Sequence, residues 1–327
     1  MYVDRFRAAF LSRFAGTDEG EVTSFVGLEL DVQDGQLSIS LSGMILELLE
    51  EYAMLDCNPV STPLEAHTHL LFADQPAVPL SKVRIRDYQH LVGSIQFIAC
   101  WTRPDLAFVA RELGQHSSNP GPIHEQAARR VLRYLKGTAD LALVYKRSPV
   151  DPLRLVAMAD ADWASNPESR KSISADLSFL SGGAVAWGSH RQGGVATSST
   201  AAEYVAASQC GNNVVWQRRV CEGMHFPQHG PTPIFEDNRG CRMLSETPLT
   251  KKRTRHIDIA VCNVRDLVEK GVCKLVDCPT YDMHADPLTK ALPGPALARH
   301  RSVLLGASPR TTPPVCFVSR LRFLSKS

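Results

Sequence analysis

LRLVAMADADWASNPESRKSISADLSFLSGGAVAWGSH, residues 153–190, alternates apolar and polar positions on either side of a polar loop and ends in a glycine-containing hairpin. The first run, LRLVAMAD, reads as a strand that stops at Asp160. The second reads as a hairpin around Gly182-Gly183, with VATSST, 195–200, as a short extension. Downstream, the pattern predicts a helix from about Ala201 to Glu222, a strand TPIFED at 232–237, and a helix RHIDIAVCNVRDLVEKG ending at Gly271. A strand VCKLVDC follows at 272–278, then a last helix near Asp286. Three antiparallel strands followed by alternating helices and strands predict an α/β fold with a mixed five-stranded sheet flanked by helices.

Upstream, FVGLELDVQDGQLSISLSG, 25–43, reads as two short strands around the Asp34-Gly35 turn. A helix follows with Ile45, Leu46, Leu48 and Leu49 as its buried stripe, and Glu65 to Pro79 is expected as an exposed linker. Residues 88–137 form two or three helices, punctuated by Pro104 and Gly137. On the last, Arg129, Arg130, Arg133 and Lys136 make either a solvated face or a phosphate contact. The expected units are 1–62, a helical 63–150, the α/β domain 151–306, and a basic, proline-containing tail, 307–327, expected to be disordered.

With 327 residues and 44% hydrophobic content, the chain can bury a core in two domains. A net charge of +2, from 36 basic and 34 acidic residues, gives no global field for nucleic acid, so any such binding rests on local clusters. Nine cysteines without a C-x-x-C pair read as a reduced intracellular chain, and no apolar run reaches membrane-span length, so no membrane partner is expected.

Asp160, Glu203, Asp237 and Asp286 each sit at a strand end or helix start, 43, 34 and 49 residues apart. Taken singly, such acids are more often caps and turn formers. Brought together, four carboxylates repel unless cations neutralise them, and hard oxygen ligands suit two Mg²⁺ or Mn²⁺ ions in phosphodiester hydrolysis. Asp162 is a second acid in the first word; Asp160 is preferred because it directly ends the apolar strand.

Six stretches in one order resemble the C-terminal part of the copia-type retrotransposon Pol polyprotein: residues 88–145, ADADWASNPESRKS, SSTAAEYVAAS, FEDNRGC, RTRHIDI and HADPLTKALPG. The resemblance runs from about residue 22 to 306. It implies the end of a reverse transcriptase, as a mostly helical thumb and connection remnant, followed by a ribonuclease H domain that cuts RNA in an RNA–DNA hybrid. It also implies Asp160, Glu203, Asp237 and Asp286 as the metal-binding and catalytic residues. Arg170, Lys171, Lys251, Lys252, Arg253 and Arg255 are the candidate backbone contacts; as the bland alternative, each is ordinary solvated surface. His256 is expected to be structural, and His284 either structural or a proton shuttle.

The chain departs from the family at Ala201, where a further Glu is common, and at Ala260–Asn263, where basic and aromatic residues are usual. MYVDR resembles the Y-V-D-D polymerase word with Arg5 in place of its second Asp, and after Asp4 the chain resembles family sequence from well downstream, so the palm is expected to be missing and polymerase activity absent. Other Pol- or Gag-derived products are expected partners, and a cytoplasmic setting, with virus-like particles and nuclear access, the expected location. Competing readings are a non-catalytic nucleic-acid-binding remnant and an integrase-type nuclease; the hairpin after Asp160 and the S-S-T-A-A-E-Y word disfavour the latter.

Overall fold

The computed structural model describes residues 2–18, 20–71, 80–146, 153–246 and 258–306. After a first helix, α1 (Tyr2–Arg13), come β1 (Ser24–Phe25), β2 (Leu28–Gln33) and β3 (Gln36–Ser40). These pair antiparallel in order, and β4 (Leu143–Lys146) completes the sheet against β3. Asp34 and Gly35 turn β2 into β3 with φ of 51° and 75°, the left-handed pair that a two-residue hairpin loop requires. Between β3 and β4 lie α2 (Ser42–Glu51), α3 (Lys82–Trp101), α4 (Ala107–Gly114) and α5 (Pro122–Lys136). Residues on either side of position 62 therefore share one sheet and one apolar core, which includes Ile45, Leu49, Ile95, Leu113 and Leu132.

Three upstream expectations change. α2 buries Ile45, Leu48 and Leu49, but Leu46 is 47% exposed, because the 100° turn per residue carries it off the buried face. The segment after Glu65 is not an exposed linker throughout: Leu70 is buried, and its carbonyl lies 3.3 Å from His116 Nε2; residues 72–79 lie outside the described residues. On α5, Arg130 donates to Glu65 and Thr62, Arg133 to the Asn58 carbonyl, and Arg129 lies over the Tyr52 ring. These arginines tie the 58–65 segment and α2 to α5. The expected tail, 307–327, lies outside the described residues.

The second sheet has the order β7-β6-β5-β8-β9. β5 (Val156–Asp162), β6 (Ile173–Leu180) and β7 (Gly183–Arg191) form an antiparallel meander; β8 (Thr232–Glu236) pairs parallel to β5, and β9 (Cys273–Asp277) parallel to β8. Ser181 and Gly182, not Gly182 and Gly183, make the hairpin turn, with φ of 50° and 81°. Gly183 starts β7, where a Cβ would stand 2.6 Å from the Val144 carbonyl oxygen, so close approach of β4 requires glycine there. VATSST forms no strand. The Ser198 hydroxyl accepts the Ala201 N–H and starts α6 (Ser199–Gly223), two residues earlier than expected.

Strand alternation assigns the two faces of β5. Ala157, Ala159 and Ala161 face α6 and α8 (Asp258–Glu269), where small side chains admit the helices closely. Val156 and Met158 face α9 (Asp286–Thr289), α10 (Gly294–Leu304) and Phe235. α7 (Arg239–Glu246) connects β8 to α8. This is the expected α/β architecture, a mixed five-stranded sheet flanked by helices after a mostly helical segment. No helix among the described residues is long and apolar enough to cross a membrane.

The two sheets are joined at β4, whose Val144 and Lys146 N–H groups donate to the carbonyls of Leu305 and Ser181. The helical layer also covers the edge strand β7: Trp187 Nε1–H donates to the Ala99 carbonyl and Arg111 to Ser189 Oγ, one way of shielding an open edge. At the centre of the junction Arg103 is 0% exposed and binds Asp105 through two nitrogens, at 2.9 and 2.8 Å. Tyr134 OH donates to Asp105 at 2.6 Å, and Arg301 of α10 donates to Tyr134 OH at 2.8 Å. Removing one member of a buried pair leaves an uncompensated charge, so Arg103→Met should cost about 3–5 kcal/mol in urea unfolding. A loss under about 1 kcal/mol would show that the network is not needed for the junction.

Candidate metal centre

Asp160 shares the β5 face of Val156 and Met158 and is 4% exposed. Glu203 opens the second turn of α6, one turn later than expected because the helix starts at Ser199. The Ala161 N–H donates to its carboxylate, and Glu203 Oε2 is buried without a hydrogen-bond partner. Asp237 directly follows β8, and its Oδ2 accepts from Thr280 Oγ1 at 2.8 Å. β8 pairs parallel to β5, so these groups gather at the carboxyl edge of the sheet. One oxygen each from Asp160, Glu203 and Asp237 lies within 4.8 Å of the others.

Asp286 begins α9 with Pro287 behind it, and its charge acts on Asp160. Two neighbours unforeseen in the sequence reading hold this side. Thr289 Oγ1 donates to Asp160 Oδ2 at 2.6 Å, and Lys290 Nζ pairs with Asp286 Oδ1 at 2.9 Å. Both were legible in HADPLTK, because residues three and four positions on return to the same side of a helical turn. A third is Glu236, fully buried beside Asp237, whose Oε1 accepts the Asn238 N–H. Asp162, the alternative acid, is half-buried on the last residue of β5 and outside the three-carboxylate set.

Burial, then the Asp286 charge, pushes Asp160 up to about 7. Burial and then Glu236 raise Glu203 far above the carboxylate range, and burial does the same to Glu236. Burial raises Asp286 as well, against the opposing pull of Lys290. Crowded, desolvated carboxyls with an orphaned buried oxygen and an all-oxygen donor set fit a hard divalent cation.

The other expected residues separate. Arg170 is exposed and Lys171 half-buried in the loop leaving β5. Asn166 Oδ1 shapes that loop by accepting the N–H groups of Glu168 and Ser169. Lys251, Lys252, Arg253, Arg255 and His256 lie outside the described residues. His284 is buried with Nδ1 3.0 Å from His300 Nδ1, and burial lowers the two imidazoles to about 3 and about 4. Both rings are neutral members of the packing between α9 and α10.

No family model matches the sequence. The retrovirus-related Pol polyprotein from transposon RE2 of Arabidopsis thaliana is 31% identical over 284 residues, which cover 87% of this chain and 19% of that protein. The corresponding polyprotein from transposon TNT 1-94 of Nicotiana tabacum is 32% identical over 282 residues, 84% of this chain and 21% of that protein. The chain belongs to the copia-type retrotransposon Pol family. It spans about a fifth of the length of these Pol relatives. RNase H1 from the halophilic archaeon Halobacterium salinarum NRC-1 aligns with 42% of this chain and 94% of its own, at 18% identity and a TM-score of 0.31.

β5–β9 of this copia-type chain lie in the order 3-2-1-4-5, with α6 between β7 and β8. Its copia words fall on the site: A-D-A-D-W ends β5, A-E-Y lies in α6, E-D-N leaves β8, and H-A-D-P-L-T-K forms α9. Asp4 of the M-Y-V-D-R word is exposed on α1.

In metal-free solution the folded chain holds protons on these carboxyls that the unfolded chain has already lost above about pH 4. Stability in EDTA should therefore fall as pH rises from about 4 through about 7. Asp160→Asn should make the slope of melting temperature against pH shallower. An unchanged slope, or stability that rises with pH over this window, would contradict the assignment.

Proposed function

We propose that this chain is a ribonuclease H-type endonuclease that hydrolyses the RNA strand of an RNA–DNA hybrid. Asp160, Glu203, Asp237 and Asp286 would hold two Mg²⁺ or Mn²⁺ ions. The observation that carries the proposal is the convergence of Asp160, Glu203 and Asp237 within 4.8 Å, with the Asp286 charge acting on Asp160. Asp160 belongs to the converged set and feels the Asp286 charge, so it would serve as a ligand wherever a cation were held here. Bound ions would lower the pKa of a water nucleophile and offset charge on the leaving 3′ oxygen.

The chain's own residues aim the donors. Thr280 fixes Asp237, Thr289 fixes Asp160, and the Ala161 N–H orients Glu203. Arg170 and Lys171, on the loop leaving β5, are proposed to meet hybrid phosphates, with 2′-hydroxyls and helix shape giving selectivity rather than base sequence. Residues 1–62 and 63–150 are proposed as the reverse transcriptase remnant ahead of the nuclease unit, 151–306. DNA synthesis is not proposed, because Asp4 lies on a helix and is followed by Arg5. Other Pol- or Gag-derived products, in cytoplasmic particles with access to the nucleus, are the proposed surroundings.

Ala201 and the altered 260–263 positions favour a second reading, a hybrid-binding remnant that does not cut. A labelled hybrid incubated with Mg²⁺ separates the two. The parent chain should release RNA fragments, while Asp160→Asn and Asp237→Asn should cut about a hundredfold more slowly or worse. Equal rates in all three sink the nuclease assignment, and binding without Mg²⁺-dependent cutting selects the remnant.

A further inference from the structure

Lys290 is already placed as a cation would be. Its ammonium is 2.9 Å from Asp286 Oδ1, and its charge also acts on Asp160 and Asp162. Among the described residues, the set that closes to within 4.8 Å is Asp160, Glu203 and Asp237; Asp286, the residue paired with Lys290, stands outside it. Lys290 is also the residue at which α9 stops, with extended backbone at φ −150° and ψ 158°. Its side chain is 39% exposed, against 10% for Asp286.

We infer that Lys290 is a resident counter-ion that occupies Asp286 in the metal-free chain and must be displaced before the second cation position forms, so that the two positions fill in sequence. The inference rests on the metal-centre reading above. An ammonium paired with Asp286, whose charge also acts on Asp160 and Asp162, removes part of the repulsion that would otherwise splay these carboxylates, which keeps the empty centre folded. The same positive charge opposes a dication arriving at Asp286. An ammonium on a flexible four-carbon stem, already more than a third exposed, can swing into water at little cost. Lys290 reaches the first cation position, made by the three converged carboxylates, only through its charge on Asp160, and its ion pair is with Asp286. Thr289 adds a second device: its hydroxyl holds Asp160 Oδ2 from the same short helix, so α9 presents a donor and a cation to the centre together. Lys290 is on this account a positioning residue that governs loading, rather than a group that touches substrate.

The test is Mn²⁺ binding by the full chain without nucleic acid, followed by calorimetry, with melting temperature recorded in EDTA and in saturating Mn²⁺. The parent should bind one ion tightly and a second about tenfold or more weakly. Lys290→Met should tighten the second ion about tenfold and the first by much less, while Lys290→Arg, which keeps the charge, should resemble the parent. Lys290→Met should also melt lower than the parent in EDTA and match it in Mn²⁺. A second ion that is unchanged or weakened in Lys290→Met overturns the inference, as does a melting deficit of equal size with and without Mn²⁺, which marks a merely structural lysine. Mn²⁺ binding that is absent from the parent, or unaffected by Asp160→Asn, instead overturns the metal-centre reading and the inference with it.

Discussion

Repulsion among carboxyls gathered at one edge of a sheet is the constraint on which this structure turns. Asp160, Glu203, Asp237 and Asp286 arrive from a strand, a long helix, a strand exit and a short helix, and each is buried or half-buried. In isolation such groups would move apart or take up protons, and the upward shift of Asp160 shows that cost. They stay together because β5 is pinned between β6 and β8 along its length, and because α9 is held against β5 by Leu288 and Met158 in the same apolar core. Scaffold rigidity is converted into a local concentration of negative charge, which a divalent cation would relieve.

The upstream half contributes to that rigidity. β4 donates to carbonyls next to α10 and in the β6–β7 turn, while the Arg103–Asp105–Tyr134–Arg301 network runs from the helical layer into α10. The segment that places Asp286 and Lys290 therefore leans on residues that precede the five-stranded sheet in sequence. Within the described residues the upstream helices and first sheet brace the five-stranded sheet.

Much of the fold was legible in the sequence, for identifiable reasons. Period-two alternation gave β5 and the β6–β7 hairpin, and Asp34-Gly35 gave the first hairpin, because these features are local. The errors were also local, where two signals competed. VATSST has the composition of a strand, but Ser198 caps a helix there, and Ser181-Gly182 took the turn because Gly183 is needed beside Val144. The pairing of β3 with β4 was invisible, since four short residues such as LVYK carry no mark of a distant partner.

For the candidate centre, the four acids were found through the family words rather than their spacing. Thr289 and Lys290 were readable from their places in HADPLTK, and the remaining neighbours needed coordinates. Glu236 reads as an ordinary strand residue until its full burial beside Asp237 is seen, and the arginines of α5 read as either a solvated face or a phosphate contact until their acceptors at 58–65 appear.

The central claim is that these carboxylates form a cation centre. Anomalous scattering from crystals of the full chain grown with Mn²⁺ tests it most directly. Manganese density should lie among Asp160, Glu203 and Asp237 and disappear in Asp160→Asn crystals. Manganese bound elsewhere in the chain, with none among those three side chains, would contradict the account.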